Sequence, residues 1–96
     1  MMEKRKQGRK KTRILVKVNG RSGILIDYSE SGIQFSTNSP PSTKIVDIRF
    51  NHEGEEISLT GIIQWIRKRF SVQNSFQIGC LLKDPPQEYY QFLQSR

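Results

Sequence analysis

The sequence predicts a small all-β domain, a six-stranded antiparallel β-barrel with a short C-terminal helix. Apolar and polar residues alternate in six short segments, and polar turn residues separate these segments. After Asp84 the spacing of apolar residues becomes helical. A chain of 96 residues has room for only one hydrophobic core, so we expect a single domain.

The first three strands are predicted from alternating apolar residues on either side of two turns. Asn19-Gly20 is a strong hairpin signal, because these residue types adopt the left-handed backbone of a tight turn. The stretch from Ser29 to Gly32 is a second polar turn. The apolar positions of these strands are Ile14, Val16 and Val18, then Ile24, Ile26 and Tyr28, then Ile33 and Phe35.

Three further strands follow the proline-containing loop at residues 38–42. Gly61 lies in the middle of the fifth strand and predicts a bend or bulge there. Residues 67–74 are predicted to be a polar connection, and Trp65 is expected in the core because it shares the apolar parity, as Tyr28 does. The apolar positions are Val46, Ile48 and Phe50, then Ile57, Leu59, Ile63 and Trp65, then Phe76, Ile78, Cys80 and Leu82.

A C-terminal helix is predicted after Asp84-Pro85-Pro86. Asp84 is a candidate N-cap, and proline is favoured at the first helical positions because its missing N–H would be unpaired there anyway. Tyr89, Phe92 and Leu93 then recur at helical spacing, so we expect one aromatic face of the helix to pack on the barrel.

The formal charge of +7 is concentrated at the N-terminus. Seven lysines and arginines against Glu3 alone give residues 1–13 a charge of +6, so the rest of the chain carries only about +1. We therefore expect residues 1–12 to be a flexible basic arm and residues 13–96 to form the barrel. No apolar run is long enough for a signal peptide or a membrane span, and the lone Cys80 fits a reducing, cytoplasmic location.

The register of the first hairpin is predicted from its apolar residues. A three-residue loop at residues 19–21 pairs Val18 with Ser22 and puts the apolar sets of both strands on one face. A two-residue loop would put them on opposite faces, so the longer loop is preferred. In that register Arg13 lies directly opposite Asp27 on the outer face of the barrel.

Two short motifs carry the functional prediction. Arg9 and Arg13 form an RxxxR pattern, and Asp27, Ser29 and Gly32 form a DxSxxG pattern. Guanidinium groups bind phosphate through two parallel hydrogen bonds and also bind the O6 and N7 atoms of guanine. A carboxylate can accept hydrogen bonds from the opposite edge of the same base. The two motifs together suit a ligand that contains both phosphate and guanine.

Both motifs, in this order and on a predicted barrel, resemble the PilZ family of bacterial cyclic di-GMP receptors. The resemblance covers nearly the whole chain and implies that Arg9, Arg13, Asp27, Ser29 and Gly32 bind this ligand. It implies no further cofactor. Secondary ligand contacts are expected from nearby basic residues of the arm, namely Arg5, Lys10 and Lys11. The receptor would signal to an unidentified output protein when the ligand orders the arm.

Other classes of function receive less support from the sequence. No P-loop, GxGxxG, HExxH or CxxC motif is present, and no nucleophile, base and orienting group can be matched, so we expect no enzyme and no catalytic or metal-binding residues. One alternative is a small basic barrel that binds single-stranded nucleic acid through its arm. Another is a ligand-free protein–protein adaptor. We expect no insertion into a membrane.

Overall fold

Six antiparallel strands close into a barrel in the order β1-β2-β3-β6-β5-β4, which confirms the predicted fold class. The structure is a computed structural model and describes residues 9–69 and 75–95. No helix among these residues is long and apolar enough to cross a membrane. The elements are β1 Lys10–Val18, β2 Arg21–Tyr28, β3 Gly32–Thr37, β4 Ile45–His52, β5 Glu55–Arg69, β6 Ser75–Lys83 and α1 Gln87–Gln94.

The barrel closes through a short pairing of β1 with β4, in which Lys17 lies opposite Arg49 and Val18 opposite Ile48. The other neighbouring strands pair over much longer stretches, such as the eight residue pairs between β4 and β5. The seam between β1 and β4 therefore has the shortest strand pairing of the barrel.

Helix α1 packs its aromatic residues into the barrel, as its spacing predicts. Phe92 is fully buried, and its ring centroid lies 4.9 Å from that of Tyr28 and 5.1 Å from that of Phe50. Tyr89 is also fully buried. The buried apolar residues of the core are Val16, Val18, Leu25, Tyr28, Ile33, Phe35, Val46, Ile48, Phe50, Ile57, Leu59, Ile78, Cys80, Tyr89 and Phe92.

The predicted register of the first hairpin is wrong. Val18 pairs with Arg21 across a two-residue turn, and Lys17 pairs with Ser22. Asn19 has φ 51° and Gly20 has φ 84°, the two positive values that a type I′ hairpin turn requires. The turn chemistry therefore determines the register, and the three-residue loop inferred from the apolar pattern does not form.

The core face of β2 differs from the prediction for the same reason. Leu25 is fully buried, whereas Ile24 and Ile26 are only half-buried. A register shift between Leu25 and Asp27 against β3 then returns Tyr28 to the core, where it was predicted. Such a bulge adds one residue to a strand and exchanges the faces of the residues that follow it.

Two strands are longer than the sequence indicates. β1 begins at Lys10, so residues 10–12, which were assigned to the arm, belong to a strand. Residues 1–8 lie outside the described part of the chain, and the flexible arm stays a prediction for them. β5 continues to Arg69, past the predicted start of a loop at residue 67.

Two local predictions also need correction. Pro86, not Asp84, is the N-cap of α1, and it makes no side-chain capping bond. Gly61 lies in an unbroken register with β4, and the bulge of β5 lies between Ile63 and Trp65 against β6. A Cβ atom at Gly61 would lie 3.0 Å from Ile48 Cδ1, so this glycine makes room for the core.

Candidate functional site

The two sequence motifs meet on the outer face of the barrel, where the start of β1 runs beside the end of β2. Lys10 pairs with Tyr28, and Lys11 pairs with Asp27. Directly opposed residues share a face, and neighbours along a strand point to opposite faces. Tyr28 lies in the core, so Lys11 and Asp27 point outward. Arg9 immediately precedes β1 and reaches the same place.

Arg9 and Asp27 form a partly buried ion pair. Nη2 and Nε of Arg9 both donate to Oδ1 of Asp27, at 2.6 and 3.2 Å. The side chain of Asp27 is 12% exposed and that of Arg9 is 40% exposed. The pair places a guanidinium over a carboxylate and leaves Oδ2 of Asp27 as the oxygen that can accept from a ligand.

Ser29 and Gly32 form a tight turn, and a tyrosine of α1 donates a hydrogen bond to its backbone. The N–H of Ser29 donates to the carbonyl of Gly32 at 2.8 Å, and the N–H of Gly32 donates to Ser29 Oγ at 3.3 Å. Arg9 Nη1 also donates to Ser29 Oγ, at 3.5 Å. The hydroxyl of Tyr89 donates to the carbonyl of Ser29 at 2.6 Å. Burial raises the pKa of the Tyr89 phenol, which keeps this donor protonated.

Gly32 makes room for the neighbouring strand. A Cβ atom at this position would lie 2.9 Å from the carbonyl oxygen of Cys80 and 3.9 Å from Arg9 Nη1. Its φ is not positive, so the glycine is not required for a left-handed turn. Its role is to let β3 approach the backbone of β6 closely beside Arg9.

The other described basic residues of the predicted site are exposed on β1. Arg13 lies in the irregular stretch between Lys11 and Ile14, and its side chain has no hydrogen bond or ion pair to another described residue. Lys10 and Lys11 are at the start of the strand. Arg5 lies outside the described residues. The structure thus brings together Arg9, Asp27, Ser29 and Gly32 and does not join Arg13 to them.

Trp65 lies on the outer face of the barrel, although its apolar parity predicted a position in the core. Its side chain is 36% exposed. The strand registers align Asp27 with Gln34, Gln34 with Gly79 and Gly79 with Trp65 in one row across the outer face. The Trp65 ring lies on Gly79, since a Cβ atom there would be 2.3 Å from the ring. Gly79 in the middle of a strand was the sequence signal for this close approach.

This surface presents a guanidinium, a carboxylate, a hydroxyl and an exposed indole, which are groups that can bind a ligand by charge, hydrogen bonds and stacking. No group of three or more His, Cys, Asp or Glu side chains among residues 9–69 and 75–95 could hold a metal ion. Cys80 is buried, and burial raises the pKa of its thiol to about 12, so it is a poor nucleophile.

Comparisons with known proteins identify a family. A family model described as PilZ domain matches residues 3–94. No curated protein and no solved structure matches the chain significantly.

Proposed function

The chain belongs to the PilZ domain family, and we propose that it is a bacterial, cytoplasmic receptor for cyclic di-GMP. It acts by binding and not by catalysis, and it passes the signal to an output protein. The observation that carries this proposal is the outer-face cluster of Arg9, Asp27 and Ser29 in line with an exposed Trp65.

Each group of the cluster matches one part of the ligand. The guanidinium of Arg9 binds a phosphate or stacks on a base, and Arg13 at the rim supplies a second cation. Oδ2 of Asp27 accepts from the N1–H and N2–H₂ edge of guanine. Trp65 gives a flat apolar surface in the same row, about three strand spacings from Asp27, or on the order of 14 Å. A ligand with two guanines and two phosphates can contact both ends of such a row.

Calorimetric titration with cyclic di-GMP tests the proposal, with GTP and a single-stranded oligonucleotide as controls. A ligand with two phosphates should show a shallow dependence of affinity on salt. An oligonucleotide on a basic arm should show a steep one, with a log–log slope of roughly 0.7 per phosphate neutralised. Heat of binding with cyclic di-GMP and a shallow slope support the receptor. A steep slope with the oligonucleotide and no heat with cyclic di-GMP contradict it.

Nucleic-acid binding remains the second candidate, because one observation favours it. Trp65 is exposed and Arg67 lies over its ring, with the guanidinium carbon 5.1 Å from the centroid. Exposed aromatics beside cations are typical of surfaces that bind single strands. However, Trp65 is the only aromatic residue in the row from Asp27 to Trp65. The carboxylate of Asp27 would also repel a sugar–phosphate backbone, so its ion pair with Arg9 does not favour nucleic acid.

Gly79→Ala tests the role of Trp65 without removing a ligand contact. The new methyl group would overlap the indole ring, which must then move away from the site. We expect binding to weaken by 1–3 kcal/mol, roughly 5- to 150-fold, as for the loss of one stacked base. In a Trp65→Ala background the same Gly79→Ala change should have no effect on affinity. If the losses of affinity from Trp65→Ala and Gly79→Ala add in the double variant, Gly79→Ala does not act through Trp65, and the ligand does not stack on this ring.

Ligand-induced ordering of the N-terminal arm is the mechanism we propose for the output. Lys4, Arg5 and Lys6 carry like charges that repel one another, and the ligand's phosphates would offset that repulsion. Amide hydrogen exchange is expected to slow in this segment when cyclic di-GMP saturates the protein. If exchange there stays the same while the affinity is normal, the output must come from the barrel surface and not from the arm.

A further inference from the structure

The distal part of β5, residues 64–69, has a strand neighbour on one side only; we name it the β5 extension. β4 pairs with β5 as far as Ile45 opposite Ile62, and Ile63 N–H then donates to the carbonyl of Lys44 at 2.8 Å. β6 continues to pair with β5 down to Arg69 opposite Ser75. Every residue of the extension is exposed. No other strand within residues 9–69 and 75–95 pairs with its second side.

A strand edge of this kind is a template for another strand. Its backbone N–H and C=O groups alternate along the edge, and an extended peptide can satisfy them by joining the sheet. Six residues at about 3.3 Å each extend roughly 20 Å, which accommodates a segment of about the same length. Closed barrels normally have no such edge. The unpaired edge of the β5 extension is therefore available to pair with another segment.

The two faces of the β5 extension differ in chemistry. Ile66 pairs with the fully buried Ile78, so it lies on the inner face, yet it is 47% exposed. Trp65, Arg67 and Arg69 alternate with it and lie on the outer face. Side chains of an added strand lie beside the residues that they pair with. Lys68 shares the inner face with Ile66, and its Nζ lies 5.7 Å from the centroid of the Phe76 ring. The occupant would therefore meet Ile66 and Lys68 on one face and the two arginines on the other.

The charges of the β5 extension favour an acidic peptide over a second copy of the chain or a nucleic acid. Neither Arg67 nor Arg69 has a carboxylate within ion-pair distance in the described part of the chain. A second copy of the chain would bring the same cations to the edge, and like charges on paired strands are destabilising. A nucleic acid has no peptide groups with which to pair. An acidic peptide satisfies both the charges and the backbone.

We propose that the β5 extension is a docking edge for an extended segment of a partner protein. That segment carries acidic residues beside Arg67 and Arg69 and an apolar residue beside Ile66, and it adds to the sheet by backbone pairing. The docking edge does not rest on cyclic di-GMP binding, because it uses the free backbone of the extension together with Arg67 and Arg69. Trp65 belongs both to the extension and to the proposed ligand surface, so the docking test is made without cyclic di-GMP.

The test uses the full chain and a capped hexapeptide in which glutamate and valine alternate. Amide exchange in residues 64–69 is expected to slow at least about tenfold at saturating peptide. A glutamate–proline hexapeptide has the same charge but cannot pair as a strand, and it should bind at least tenfold more weakly. The double change Arg67→Glu and Arg69→Glu should weaken the glutamate–valine peptide at least tenfold. Lys17→Glu, an exposed charge reversal on β1, should leave its affinity unchanged.

Four outcomes would overturn the docking edge. The first is no slowing of exchange with millimolar glutamate–valine peptide, and the second is equal binding of the glutamate–proline peptide. Protection of residues 64–69 by a single-stranded oligonucleotide but not by the peptide would assign the edge to nucleic acid. Protection that rises with protein concentration alone would assign it to a second copy. None of these results bears on cyclic di-GMP binding, which is measured separately.

Discussion

Replacement of Arg9 by alanine is expected to lower the affinity for cyclic di-GMP by about 2–4 kcal/mol, which is roughly 30- to 700-fold. The side chain would supply the guanidinium nearest to the ligand, and it also neutralises Asp27, whose side chain is only 12% exposed. Without Arg9 that carboxylate stays on the surface and repels the ligand's phosphates. The loss therefore combines a missing attraction with a new repulsion.

The same change should barely affect the free energy of unfolding. Arg9 is 40% exposed and precedes the first strand, so the barrel keeps its core without this side chain. Isothermal titration calorimetry gives the affinity, and thermal unfolding followed by circular dichroism gives the stability. Arg13→Ala is expected to act in the same direction, and Lys17→Ala, an exposed lysine on the same strand, is the control. Normal affinity in both arginine variants would contradict the site assignment.

Much of this site could be predicted because its residues are adjacent to turns. The RxxxR and DxSxxG patterns are visible in the sequence, and the structure brings Arg9, Asp27 and Ser29 together. The arginine expected just before the first strand was Arg13, whereas Arg9 precedes β1 in the structure. Arg13 was expected opposite Asp27, but Lys11 takes that position. The error came from ranking the apolar pattern above the Asn19-Gly20 turn. Two residues with positive φ fix a two-residue hairpin, whatever the strands contain.

Bulges explain what the alternation of apolar residues could not predict. A register shift between Ile63 and Trp65 moves the tryptophan from the core parity to the outer face. Another between Leu25 and Asp27 exchanges the faces of β2 and returns Tyr28 to the core. A bulge leaves little trace in a strand of Ile, Val and Leu, because either face accepts these residues. The position of Trp65 on Gly79 depends on the pairing of two strands, and it appears only once they are registered.

Replacement of Phe92 by alanine is expected to destabilise the domain by about 3–5 kcal/mol, the usual loss for a buried phenylalanine. Phe92 is fully buried, and its ring centroid lies within 5.1 Å of those of Tyr28, Phe50 and His52. A domain of this size has a total stability of roughly 5–15 kcal/mol. The change therefore removes a large share of it.

The measurement is urea unfolding, with Gln91→Ala as the control on the exposed side of the same helix. We expect the control to lie within about 0.5 kcal/mol of the wild type. A loss below about 1 kcal/mol in Phe92→Ala would mean that α1 does not pack in solution as it does here.

Phe92→Ala is also expected to affect the candidate site, because α1 carries Tyr89, whose hydroxyl donates to the carbonyl of Ser29. If the helix detaches, that carbonyl loses its donor and the turn beneath Arg9 loosens, so affinity for cyclic di-GMP should fall together with stability.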